Sequence, residues 1–309
     1  MAIFRHTDAL PAFHNTVLTI GTFDGVHAGH MTILEEVIRH AREEGGESVL
    51  ITFEPHPRKL LFPDQPLKLL TPLEEKLQLI TGAGIQHVVV APFTKAFSLL
   101  SATEYIQQFL VHYFRPQSII IGYDHHFGHD RTGNIDMLRE YEQVFDFTVH
   151  EIPAHLIEQA AVSSTKIRRA LEAGQVQDAA QMLGRLYSLS GVVVHGAKRG
   201  RTIGYPTANI QPADPEQLVP ATGVYAVRVQ HDDLWYGGML NIGYNPTVTD
   251  EGKLHIEVNI FDFDKDVYGD TLKIDFVTRL RDELKFNSPD ELVQALHKDK
   301  TDAKRELAG

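Results

Sequence analysis

The chain has 309 residues, a formal net charge of −12, 43% hydrophobic and 23% charged residues, and no cysteine. That length suits two ordinary domains, and the composition is that of a soluble globular protein. The acidic balance argues against an extended nucleic-acid surface, and the missing thiols exclude disulfides, thiolate zinc sites and a cysteine nucleophile.

No apolar run reaches the roughly 18 residues of a membrane-spanning helix. The opening stretch, "MAIFRHTDALPAF", lacks a basic start and apolar core, so no secretory signal is read and a cytoplasmic location is expected. Seventeen histidines are many, and metal binding has to be weighed.

The first strong local pattern is an apolar run, "TVLTI", that enters "GTFDGVHAGH" (21–30) and leaves through the helical pattern "MTILEEVIRHA". Ile33, Leu34, Val37, Ile38 and Ala41 make one apolar face, and Gly45 stands at the C-cap position. Further β-rich runs, "SVLITFE", "HVVVAPF", "SIIIGY" and "FTVHEIP", alternate with helical patterns up to about residue 185. This alternation predicts βαβ units and a parallel sheet, with ligands beyond the carboxyl ends of the strands.

From about 186 to 280 the pattern changes. "LSGVVVHGA", "GVYAVRVQ", "LWYGGMLNI", "LHIEVNIFDF" and "TLKIDFVTRL" follow one another with turn clusters between them. They predict a small antiparallel barrel. A terminal amphipathic helix follows, with Ser288 as its N-cap. The domains are therefore expected at 1–185 and 186–309, divided near Gly184.

A strand that feeds a helix through glycines aims backbone N–H groups at one spot, and the helix N-terminus adds positive potential. Gly21, Gly25 and Gly29 permit close approach. His27 and His30 can donate ring N–H groups to phosphate oxygens, although an isolated H-x-x-H is usually two solvated histidines. In "VSSTKIRRALEAG" (162–174), Ser163, Ser164 and Thr165 offer cap hydroxyls. Lys166 and Arg168 sit in the first helical turn, where cations oppose the dipole unless an anion binds there.

The H-A-G-H pair resembles the H-x-G-H signature of nucleotidyltransferases, which class I aminoacyl-tRNA synthetases also approximate. S-S-T-x-I-R resembles the signature of bacterial FAD synthetases. "TFEPHPRKLL" (52–61) and "GYDHHFGHDRTGN" (122–134) complete that pattern, with Gly122, Asp124, Phe127, Gly128, Arg131 and Gly133 matching and His125 replacing the usual aromatic. A zinc site at His125, His126 and His129 is not expected, because neighbours in a strand face opposite ways.

The resemblance implies an α/β Rossmann-like nucleotidyltransferase domain. It gives catalytic roles to His27, His30 and Arg168. Binding roles fall to Gly21, Phe23, Asp24, Gly25, Gly29, Asp124, Phe127, Arg131, Ser163, Ser164 and Thr165.

The second half opens with "HGAKRGRTIGYPTANI" (195–210), where Lys198, Arg199 and Arg201 sit in a glycine-rich loop. Thr207 and Asn209 are neutral oxygen donors suited to magnesium, although a bare P-T-A-N is usually a polar turn. With "NIGYNPTV" and "LHIEVNIFDFDKDVYGD", the segment resembles the riboflavin kinase domain, a six-stranded barrel.

That resemblance makes Thr207 and Asn209 ligands of metal and ATP phosphates, and Glu257 the general base. It gives Lys198, Gly204, Asn245 and Arg281 binding roles. Alternation by itself puts Glu257 on the outer face with His255 and Asn259.

Both halves together resemble the bifunctional bacterial riboflavin kinase/FAD synthetases. This implies riboflavin, FMN, FAD and ATP as small-molecule partners, Mg²⁺ as cofactor, and neither nucleic acid nor membrane. One active half with a flavin-binding or regulatory second half is the alternative. A nucleotidyltransferase for another phosphate acceptor is a third reading.

Overall fold

The computed structural model describes residues 1–153, 162–196, 203–244 and 254–308. The chain divides into two compact units, Met1–Ser164 and Thr165–Gly309.

The first unit is built on a parallel six-stranded sheet in the order β1-β4-β3-β2-β5-β6. Its strands are β1 (Ala2–Phe4), β2 (Thr16–Ile20), β3 (Ser48–Glu54), β4 (His87–Pro92), β5 (Pro116–Gly122) and β6 (Thr148–Ile152). The apolar runs are continuous because both faces are covered. Leu18, Val49, Ile51, Val89 and Ile119 face a cluster with Phe109 and Phe114. Val17, Leu50, Val88 and Ile120 face another with Leu34, Val37, Leu77 and Ile80.

Strand order reverses between β2 and β5, since the chain runs from β2 outward to β3 and later returns to β2's other side. A crevice at the carboxyl ends of these two strands is the position such sheets offer a ligand.

The second unit is a closed antiparallel barrel in the order β10-β11-β8-β7-β12-β9. Its strands are β7 (Tyr187–Val194), β8 (Ala208–Pro212), β9 (Gly223–His231), β10 (Leu234–Tyr244), β11 (Leu254–Ile260) and β12 (Thr271–Arg281). Tyr225, Val227, Leu240, Val258, Ile274 and Phe276 are fully buried in it.

The terminal helix Pro289–Ala308 packs on β9, β10 and β12. Its N-terminus is held by Ser288, whose Oγ accepts the Glu291 N–H at 3.2 Å.

Two differences from the expected organisation have local causes. The compact units divide at Ser164, earlier than Gly184, because helix Val176–Leu183 packs on β7 and β12 and Leu171 O accepts the Ala221 N–H at 3.0 Å. That eight-residue helix carries too few turns for its periodicity to stand out. Strand β1 has three residues and forms only by pairing with β4, which no local pattern announces. Among the described residues no helix is long and apolar enough to cross a membrane.

Candidate active sites

In the first unit, helix α1 (Ala28–Glu43) begins directly after the glycine-rich turn. His27 is its N-cap, and its Nδ1 accepts the His30 N–H at 3.3 Å. In the neutral ring the proton then sits on Nε2, the nitrogen able to donate. The two imidazoles stack with centroids 3.7 Å apart, and Phe23 lies 4.9 Å from His30. Sequence and structure thus agree in bringing His27 and His30 together at a helix N-terminus, beside the reversal point of the sheet.

The turn is strained. Phe23, Gly25 and Val26 have φ of 48°, 88° and 38°, and for a β-branched valine that region is strongly disfavoured. Asp24 holds it: its buried carboxylate accepts the N–H groups of Leu70 and Thr71 at 3.0 and 3.1 Å. Asp24 O also accepts the Ser164 hydroxyl at 2.9 Å, which places Ser164 against the turn. Phe23 is likewise buried, so Phe23 and Asp24 shape the turn from within.

Lys76 is a site neighbour that periodicity conceals, because it sits on the buried face of its helix with Leu77 and Ile80. Its Nζ donates to Thr22 O at 3.1 Å and to Thr52 Oγ1 at 3.0 Å, joining the carboxyl ends of β2 and β3. Burial lowers its pKa, opposed by Asp24 and Glu54.

The 122–134 loop leaves β5, on the other side of the crevice. Phe127 is buried and stacks on Tyr105 at 5.1 Å, and it exchanges backbone hydrogen bonds with Gly133. A side chain at Gly128, which has φ 72°, would meet Ala102 Cα at 2.7 Å. Phe127 therefore supports this loop from the core. Asp124 and Arg131 are exposed on it.

His125 is half-buried, with its Nε2 enclosed and lacking a hydrogen-bond partner. Burial, with smaller contributions from His126 and Arg131 against Asp124, pushes its pKa down to about 4. Its unfolded value is near 6.5, so the unfolded chain binds more protons between these limits and stability falls as pH drops through that window. His125→Phe is expected to flatten the loss of stability between pH 6.5 and 4 by on the order of 1 kcal/mol, the ring's partial exposure limiting the effect. Denaturant midpoints across that range check it.

Thr165, Lys166 and Arg168 lie on the first turns of helix Ser164–Glu172, whose Ile167, Ala170 and Leu171 are buried. Thr165 and Lys166 are exposed and Arg168 is half-buried.

In the second unit, β8 carries Asn209 directly opposite Glu257 of β11, and Asn241 of β10 flanks Glu257 on its other side. Thr207 Oγ1 donates to Glu257 Oε2 at 3.2 Å. Thr207, Asn209 and Glu257 thus converge on one spot, although alternation gives Glu257 an outward face. Asn259, buried next to them, donates to Pro206 O at 2.7 Å and braces the turn.

A cavity of about 460 Å³ opens beside Thr207 and Ala208, with Val193, Val258, Ile260 and Phe263 among its walls. That volume is in the range of small-ligand sites.

Gly196 makes room for Asn209, since a Cβ there would lie 2.6 Å from Asn209 Oδ1. Gly196→Ala is expected to displace that amide and to cut turnover in this unit on the order of 10²-fold with the fold retained. Circular dichroism and initial rates check this together.

Tyr205, in the Gly204-Tyr205-Pro206 turn, bonds His297 Nδ1 of the terminal helix at 2.6 Å. Gly204 has φ 81° and open space beside it. Arg281 is committed elsewhere than the cavity: its Nε and Nη2 donate to Asp299 at 2.9 and 2.7 Å. Lys198, Arg199, Arg201 and Asn245 lie outside the described residues.

The oxygen donors fit magnesium. The Thr207 hydroxyl gives its proton to Glu257 and keeps lone pairs for a cation, and Asn209 adds a neutral amide beside a carboxylate.

Comparison with known proteins matches residues 10–166 to the FAD synthetase family model and residues 183–307 to the riboflavin kinase model. The bifunctional riboflavin kinase/FMN adenylyltransferase of Bacillus subtilis is 39% identical, covering 94% of this chain and 92% of its own. Its Listeria monocytogenes counterpart is 37% identical over the same shares, and that of Escherichia coli is 35% identical over 95% and 93%. A solved structure described as a macrolide-efflux protein from Streptococcus pneumoniae is 33% identical, with a TM-score of 0.88 and 98% of each chain covered. Similar in both halves and over nearly its whole length, the chain belongs to the bifunctional riboflavin kinase/FMN adenylyltransferase family.

Proposed function

We propose that the chain phosphorylates riboflavin with ATP to give FMN and ADP, then adenylylates FMN with a second ATP to give FAD and pyrophosphate. The observation that supports this reading is that each unit gathers groups suited to a nucleotide polyphosphate. One set is the His27–His30 turn at a helix N-terminus, and the other is Thr207, Asn209 and Glu257, with a cavity opening beside Thr207. The first reaction is assigned to residues 186–309 and the second to 1–185.

In phosphorylation, riboflavin is bound so that its ribityl 5′-hydroxyl meets Glu257. The proton passes to a Glu257 carboxylate oxygen as the 5′-oxygen bonds the γ-phosphorus and ADP leaves. Thr207's bond to Glu257 aims that carboxylate. Thr207 and Asn209 would hold Mg²⁺ together with phosphate oxygens, and the ion would supply neutralisation of phosphate charge.

In adenylylation, an FMN phosphate oxygen attacks the α-phosphorus of ATP and pyrophosphate departs. His27 Nε2–H, His30 and the α1 N-terminal amides stabilise charge on the phosphates, with Ser163 and Ser164 beside them. Asp124 and Arg131 are assigned to contacts with the incoming flavin nucleotide. A cytoplasmic setting, where ATP and magnesium are available, fits both steps.

The experiment is incubation of the pure protein with riboflavin, ATP and Mg²⁺ while flavins are followed by chromatography. Accumulation of FMN and then FAD is expected. Absence of both products overturns the reading, and FMN without FAD, when FMN is also supplied, restricts it to the second unit.

A further inference from the structure

We infer that His40, Glu44 and His150 form a binding site for a divalent first-row transition metal, zinc foremost, at the opposite end of α1 from His27 and His30. Each residue can direct one ligand atom so that all three atoms lie within 4.8 Å of one another. A tetrahedral zinc ion about 2.1 Å from each would draw them to about 3.4 Å, a side-chain adjustment.

His40 and Glu44 are one helical turn apart, so one face of α1 presents both. His150 comes from β6, the edge strand, and its ring centroid is 4.1 Å from that of His40. His40 Nδ1 already faces Glu44 Oε1 at 3.3 Å.

The surroundings orient these groups. Ser118 Oγ donates to both Glu44 oxygens at 2.9 and 2.8 Å and lies 3.5 Å from His150 Nε2. With a metal on Nδ1, His40 carries its proton on Nε2, which lies 3.9 Å from Glu36 Oε2. That is too long for a hydrogen bond, and a shift of about 1 Å would bring Glu36 into the place of the carboxylate that usually supports a ligating imidazole. Arg39 Nη2 now donates to His40 Nε2 at 2.8 Å, so metal on Nδ1 requires that contact to be released, the guanidinium keeping its bonds to Glu36 and Glu43 at 2.5 and 2.7 Å. Glu36, Glu43 and Glu44 outnumber Arg39, so the neighbourhood is anionic.

Glu44 is the C-cap of α1, where the helix dipole disfavours a carboxylate and favours a cation. Two imidazoles with one carboxylate select zinc, cobalt, nickel or copper over magnesium and calcium, which take oxygen ligands. Bound there, the metal would fasten α1 to an edge strand that, among the described residues, pairs only with β5.

The test uses the full chain, stripped with chelator and kept in excess Mg²⁺ to fill the phosphate sites. Cobalt(II) titration is expected to give one tight step per chain with visible d–d bands, abolished by zinc. His40→Asn, His150→Ala and Glu44→Gln should each weaken that step at least tenfold, while His6→Ala leaves it unchanged. Glu44→Gln retains an acceptor for Ser118, so at least one variant keeps the metal-free fold, checked by its thermal midpoint. No tight step in the unmodified protein, or a step of unaltered affinity in folded Glu44→Gln and His150→Ala, overturns the assignment.

Discussion

His30→Ala should depress FAD formation from FMN by on the order of 10²-fold, about 3 kcal/mol of transition-state stabilisation, while FMN formation from riboflavin stays near the parental rate. The first part follows from geometry. His30 lies in the opening turn of α1, stacked on His27, at the helix N-terminus to which the phosphates are assigned. The loss is expected mainly in kcat, since a donor aligned with charge that grows in the reaction contributes little to ground-state binding.

Asn209→Ala should do the reverse. It removes one neutral oxygen beside Glu257 in the barrel, so FMN formation falls and adenylylation of supplied FMN continues. Separate assays with riboflavin and with FMN, each at saturating ATP and Mg²⁺, read the two steps. Equal loss of both activities from either substitution, in a folded protein, would refute the division of labour between the units.

The second large effect is on stability. Arg281 pairs through two nitrogens with Asp299, whose side chain is only 3% exposed against 22% for the arginine. Arg281→Met would leave a carboxylate buried on the terminal helix without its partner, a change that costs about 3 kcal/mol when the pair is this enclosed. For a unit of this size the thermal midpoint should drop by about 10 °C. The double variant Arg281→Met/Asp299→Leu is expected to recover most of the loss, because no charge is then stranded.

The resemblance of the sequence to riboflavin kinases gives Arg281 a flavin contact instead. An unchanged midpoint with a raised KM for riboflavin would favour that role over the docking of the helix.

Features written in contiguous residues were legible in the sequence. The His27–His30 turn, the alternation of strand and helix, and the switch to an antiparallel barrel all follow from local period and turn chemistry. Glu257 was not legible from period, because alternation records which face a residue occupies and not which neighbour it meets there. Its bond to Thr207 spans 50 positions. Asp24 and Phe127 sit in motif positions, yet their carboxylate and ring turn inward to hold loops, a choice made by tertiary packing.

Lys76 hides on a buried helix face, and its partners Thr22 and Thr52 are supplied by two other segments. His40, Glu44 and His150 are likewise invisible along the chain, since three strands, β3 to β5, and several helices separate β6 from α1.

The Tyr205–His297 hydrogen bond ties the P-T-A-N turn to the terminal helix. The turn to which phosphoryl transfer is assigned is thus clamped from outside the barrel wall. Damage at the far carboxyl end of the polypeptide, by nicking or by an appended tag that peels the helix away, would register as a kinase defect long before the strands themselves came apart.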